Sequence, residues 1–244
     1  MIDSVRSEWI KLRTVMVNWV LVICAIAFPT VISTLTAALS DELVSDGELA
    51  ELVAGTSIVT AMLLGVVAAI GVTNEFTHNT IRPTFAATPK RFRPLAAKAA
   101  VHVVVTAVVM TATVLVSWIA AQALADSIPS TDEAVGPVLV GVVVLAVGVT
   151  LLGFGLGLLI RNSAATVCVI LLWPFVVENL LSGLLGAAGL DESPKYMPYL
   201  NGLALAVRDA GSEFPGRVAS GVYFFAVVLV IGALGLLSGE RRDA

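Results

Sequence analysis

Glu178 is the one acidic residue set well within an apolar run, four positions after Pro174. A carboxylate at membrane depth is costly and usually faces a cavity or a partner. Glu178 could therefore line a translocation path or a seam between copies. Alternatively the run ends soon after Trp173-Pro174 and leaves Glu178 near the outer boundary, and both readings stand. Pro174 frees backbone carbonyls, which suits a kinked or re-entrant helix end at an outer gate. Other groups able to do chemistry are few. His78 and His102 are too separated from each other, and from Cys or carboxylates, to hold a metal. His78 reads as a loop or interface residue, and His102 as hydrogen-bonded to a neighbouring helix. Cys24 and Cys168 lie in apolar runs and read as small buried hydrophobes rather than a disulfide or metal pair. No Ser-x-x-Lys, His-Glu-x-x-His or paired intramembrane Asp is present, which argues against an intramembrane protease or a proton-relay pump. No catalytic residue and no metal site is expected.

The stretch Asn74 to Arg91 is a polar, basic island in an otherwise apolar chain. Five of the fourteen Lys and Arg residues fall in or just after it: Arg82, Lys90, Arg91, Arg93 and Lys98. Phe76, Ile81, Phe85 and Phe92 are mixed with these charges. A loop that is only solvated needs no such apolar groups, whereas a docking element does. Glu75 to Arg82 can form a short helix that Pro83 and Pro89 end or bend.

These residues must be positioned by membrane helices. The chain has 244 residues, is 58% hydrophobic and 13% charged, and has a mean hydropathy of +0.96. Soluble domains carry about 25% charged residues. At roughly 20 residues per crossing, the length allows about six spans and no separate soluble domain. The expected spans are about 18–39, 52–73, 99–125, 137–160, 164–185 and 217–238, with an acidic loop from Asp41 to Glu51 after the first. They are too long and continuous for barrel strands, so the predicted fold is an all-α membrane protein of six transmembrane helices, a single transmembrane domain over 1–244. Before the first span, Ile2, Val5, Trp9, Leu12 and Met16 recur at helical spacing, predicting an interfacial helix over 1–16 anchored by Trp9. Without an Ala-x-Ala-like site, this start does not read as a cleaved signal peptide.

Six spans place both termini on one side. Eleven cations fall on that side with the island, and three on the other, which collects twelve carboxylates. The positive-inside rule then makes both termini and the island cytoplasmic, in a multi-pass protein of the cell inner (plasma) membrane. No phosphate-binding G-x-x-x-x-G-K-[ST] sequence occurs. Gly153-Phe154-Gly155-Leu156-Gly157 sits in a span, where small residues serve close helix packing.

The run Asn-Glu-Phe-Thr-His-Asn-Thr-Ile-Arg-Pro-Thr-Phe-Ala-Ala-Thr-Pro-Lys-Arg at 74–91 resembles the signature of type-2 ABC exporter permeases. In that family it reads as glutamate, an aromatic, two or three polar residues, Thr-Ile-Arg, then Pro-Arg/Lys-Arg. Ser7-Glu8-Trp9-Ile10-Lys11-Leu12-Arg13 is similar to the family's Ser-Glu-Trp-x-Lys-Leu opening, and the style of the sequence resembles actinobacterial members. The resemblance implies a permease subunit of an ATP-driven exporter, active as a dimer with a second permease copy or homologue and two copies of a separate ABC ATPase. ATP and Mg would then reside in the ATPase, with no cofactor, enzyme activity or nucleic acid assigned to this chain. Glu75 to Arg91 would hold the coupling helix, with Glu75 and Arg82 as the matching motif residues and Phe76, Ile81, Phe85, Lys90 and Arg91 beside them. Residues 186–216 would form an outer gate region, interrupted by Pro194, Pro198 and Pro215. The cargo would be hydrophobic or amphipathic: a drug, as in multidrug efflux, a lipid or a peptide. An ATP-independent secondary transporter and a membrane scaffold subunit are the alternatives.

Overall fold

The computed structural model describes residues 6–10, 14, 16–40, 44–77, 92–125, 127–128 and 134–242. Its elements are α1 (Met16–Ala38), β1 (Val44–Ser45), α2 (Asp46–Thr77), α3 (Phe92–Leu124), β2 (Ser127–Ile128), α4 (Val135–Ile160), α5 (Ser163–Leu172), a π-helical turn (Trp173–Glu178), α6 (Asn179–Ala187), a 3-10 turn (Ser193–Tyr196), α7 (Pro198–Leu203) and α8 (Arg217–Arg242). Six helical segments are long and apolar enough to cross a membrane, α5 to α6 counting as one through the π turn. Residues 6–10 are also helical.

Two spans begin earlier than hydropathy predicts. The acidic stretch before the second span is partly helix, because Ser45 and Glu48 form a reciprocal capping box. The Ser45 amide donates to Glu48 Oε2 at 2.9 Å, and the Glu48 amide to Ser45 Oγ at 3.3 Å. Asp46 and Glu48 thus occupy the first turn of α2, where the helix dipole favours negative charge. α3 starts at Phe92, since Pro94 falls in a first turn that needs no N–H from it. The fifth span does not stop at Trp173-Pro174. It widens into the π turn and continues to Ala187, with the Asn179 side-chain amide donating to Pro174 O at 2.9 Å.

Pro29 poses the same problem inside α1. Lacking an N–H, it leaves the carbonyl of Ala25 without its intrahelical donor. Thr60 on α2 supplies one, with Oγ1 2.6 Å from Ala25 O. In hydrocarbon, such a repair must come from a neighbouring helix.

α4 lies at the centre and packs most extensively on α2, then on α8. Its glycines make this possible: a Cβ on Gly153 would sit 2.3 Å from Gly65 O, and one on Gly141 would sit 1.7 Å from Leu205 O. Met110, Leu145, Val149 and Phe224 are fully buried in the core around it. β1 and β2 pair in parallel, Val44 opposite Ser127, tying two loops together at one end of the bundle. Also at that end, the 3-10 turn and α7 fold back against α8 and α4. Pro194 and Pro198 each open a helical turn there rather than break one. Cys24 and Cys168 are unpaired but exposed on the outside of the bundle, so the expectation of buried hydrophobes is corrected. Their spans turn that face away from the core.

Candidate functional site

At the end of the bundle opposite β1 and β2, α2 runs out through Asn74-Glu75-Phe76-Thr77 as unbroken helix. α3 returns beside it, so Lys98, in the second turn of α3, faces the last turns of α2. Lys98 Nζ donates to Glu75 Oε1 at 2.7 Å and to the carbonyl of Gly71 at 3.0 Å. It also lies 3.1 Å from Glu8 Oε2 in the N-terminal helical stretch. The Lys98, Glu8 and Glu75 side chains are only 6%, 13% and 12% exposed. One ammonium therefore joins three separate elements in a largely desolvated setting. His102, one turn on from Lys98, lays its ring over Gly71, where a Cβ would come within 2.8 Å of Nε2. Packing, rather than the expected hydrogen bond, is what the structure shows for it.

Phe76 is held from the other side. The Arg161 guanidinium sits 4.6 Å from its ring centroid, and Arg161 Nη2 donates to Ser238 O on α8 at 2.9 Å. Arg161 ends α4 with φ of 57°, and Asn162 then caps α5 through Oδ1, which accepts from Ala165 N at 3.0 Å. Thr73 and Ser163 hydroxyls meet at 2.7 Å. Glu75 and Phe76 are thus fixed at the junction of α2, α3, α4 and α8. The predicted partners Ile81, Arg82, Phe85, Lys90 and Arg91, and His78, lie outside the described residues. Trp9 is half-exposed and borders an apolar groove of about 440 Å³ that Trp19, α1, α2 and α3 complete.

Glu178 is 1% exposed and caps α7 from a distance. Pro198 opens α7 without an N–H. The next two amides, Tyr199 N and Leu200 N, reach Glu178 Oε2 at 2.9 and 3.0 Å, and Trp173 Nε1 reaches Oε1 at 3.0 Å. Pro174 and Glu178 both border a cavity of about 240 Å³ between α4, α5, α7 and α8.

Sequence reasoning missed Lys98, Glu8, Arg161 and Tyr199 as site residues. Lys98 lies inside α3, which starts at Phe92 rather than at the expected 99. A usable signal was its spacing of four from His102, which puts both on one helix face. Among the described residues no group of three His, Cys, Asp or Glu can hold a metal ion.

Residues 4–177 match the family model described as ABC-2 family transporter protein. The chain belongs to the ABC-2 transporter family. The match contains the Glu8–Lys98–Glu75 cluster, α1 to α5 and most of the π turn, while Glu178, α7 and α8 lie beyond it. A search of curated proteins found no match. With six apolar helices, this ABC-2 family member is a multi-pass membrane permease subunit, a membrane transport component. Its family implies association with an ABC ATPase.

Proposed function

We propose that this permease is the membrane half of an ATP-driven exporter, working as a dimer with a partner ATPase docked on the segment 75–91. The observation that carries the reading is the Lys98 bridge. It clamps the foot of that segment to the N-terminal helix and to α3, so a force applied at 78–91 is transmitted into three elements together rather than lost in a slack loop. The sequence's charge asymmetry supports a plasma-membrane orientation with both termini and this segment in the cytoplasm. ATP and Mg²⁺ belong to the partner, whose closure pulls the coupling segments and opens a central path outward. The cargo is hydrophobic or amphipathic, in keeping with the apolar walls of both cavities.

The test is co-purification with a co-expressed ABC ATPase and measurement of ATP turnover. Wild-type protein is compared with Glu75→Ala and Arg82→Ala. Loss of assembly or of stimulated turnover in either variant is expected. Unchanged assembly and turnover in both would sink the coupling assignment.

A further inference from the structure

We propose that the groove between the N-terminal helical stretch, α1, α2 and α3 holds an acyl chain of an anionic phospholipid, with Arg6 at the headgroup phosphate. The lipid is a fixed ligand rather than cargo, and the proposal rests on neither the ATPase nor the substrate of the exporter reading. It needs only that the six apolar helices cross a bilayer.

The walls select the occupant. The groove encloses about 440 Å³, within the roughly 300–1,000 Å³ of small-molecule pockets. Every residue along it is Trp, Leu, Val or Ala, so apart from two indoles its side chains offer contact only to hydrocarbon. From Trp19 to Ala25 it follows α1 for about 9 Å, over a buried floor of Ala25, Leu64 and Val109. Val104, Val105, Val108 and Val109 repeat at helical spacing along α3, and β-branched side chains in a helix keep one preferred χ1 rotamer. The groove is therefore built before a ligand arrives, which lowers the cost of binding. Val104 and Val108 are 59% and 64% exposed, so it opens sideways to the bilayer, whose acyl chains are what can enter.

The rim supplies the charge. Trp9 and Trp19 are half-exposed, as amphipathic rings are at headgroup level. Arg6 is exposed and stands three residues before Trp9 in the same helical stretch, which makes the two side chains neighbours on one face. Its guanidinium matches the geometry of a phosphate. Glu8, the one carboxylate within residues 6–10, is taken up by Lys98 at 3.1 Å, so it does not oppose an anion at the rim. No residue of α4, α5 or α8 borders the groove, which separates it from the cavity beside Glu178. A lipid seated there bears on the helix that carries Glu8, and through it on the Lys98 bridge.

The test uses the full chain, purified and delipidated in detergent with no ATPase and no nucleotide, and native mass spectrometry as the readout. Phosphatidylglycerol and phosphatidylcholine with identical chains are titrated at equal mole fractions. One phosphatidylglycerol per chain is expected to stay bound, about fivefold tighter than phosphatidylcholine, the gain from one cation beside an anionic headgroup. Arg6→Gln, at an exposed position, should erase that preference. Val108→Trp adds an indole to an exposed wall of the groove, and excluding two methylenes of the chain should weaken both lipids about tenfold. Equal binding of the two lipids, a preference that survives Arg6→Gln, or affinity unchanged by Val108→Trp would each overturn the proposal and leave ordinary annular lipid. If Val108→Trp fails to fold, the Arg6→Gln comparison decides. Because coupling is not exercised, failure here leaves the ATPase reading standing, and loss of coupling leaves this lipid bound.

Discussion

Replacing Lys98 with Met keeps the side chain's length and removes its charge, which isolates the bridge at the foot of the coupling segment. At an effective dielectric of about 20, attractions across 2.7 and 3.1 Å amount to roughly 6 and 5 kcal/mol before desolvation is counted. Burying each ion offsets several kcal/mol of that gain. The loss is nonetheless not the small net value of the bridge. Glu8 and Glu75 stay behind, each nearly buried and without the Lys98 ammonium, and the Gly71 carbonyl loses its side-chain donor. Breaking a buried pair from one side typically costs about 3–5 kcal/mol; residual exposure of both carboxylates puts Lys98→Met at the lower end, about 3 kcal/mol. Equilibrium unfolding of the full chain in mixed micelles with rising SDS reads this directly. A double-mutant cycle then separates the bridge from packing, because Glu75→Gln made in the Lys98→Met background removes one of the two carboxylate charges left by the bridge. It should restore about 1–2 kcal/mol, whereas Glu75→Gln alone should destabilise. Stability of Lys98→Met within about 0.5 kcal/mol of wild type, or a coupling energy near zero, would refute the clamp.

Four further substitutions follow from the packing and the hydrogen bonds. Gly153→Ala drives a Cβ to 2.3 Å from Gly65 O and should destabilise by about 3 kcal/mol in the same assay, while Gly183→Ala, whose Cβ meets nothing within 4 Å, should be neutral or gain up to about 1 kcal/mol. Thr60→Val preserves shape but strands the Ala25 carbonyl, and a loss of about 1 kcal/mol is expected; no loss would mean that carbonyl finds another donor. Glu178→Ala leaves two amides and an indole N–H without an acceptor and should cost about 3–5 kcal/mol, with hydrogen exchange rising first at Tyr199 and Leu200.

The six spans were legible because a crossing helix announces itself by length and hydropathy. Their beginnings were less so, for reasons visible in particular residues. Glu48 and Glu51 read as a solvated acidic loop, yet Ser45-x-x-Glu48 is a helix-start pattern, and capping outweighed charge. Lys98 read as part of the loop because a cation marks a membrane boundary until a partner is found for it. Its partners, Glu8 and Glu75, come from segments 90 and 23 residues away, and no local pattern records such a pairing. The glycine run of α4 was read correctly as packing, since a missing side chain has the same meaning at every depth. Glu178 was recognised as exceptional but not placed, because what it satisfies is the start of α7, a helix too short to show in periodicity.

The polar groups inside this permease share one logic. Each break in a helix creates a backbone group that hydrocarbon cannot satisfy, and a side chain from elsewhere meets it: Thr60 for Ala25 beside Pro29, Asn179 for Pro174, Glu178 for the first amides of α7. Glu178 thereby meets three N–H groups, those of Trp173, Tyr199 and Leu200. The same logic isolates Tyr199 Oη, which answers no backbone group and has none answering it, although its ring is fixed beside Glu178 by its own amide. Tyr199 Oη is one of five buried side-chain oxygens without a partner among the described residues, so the bundle completes its broken backbone groups before its side-chain oxygens.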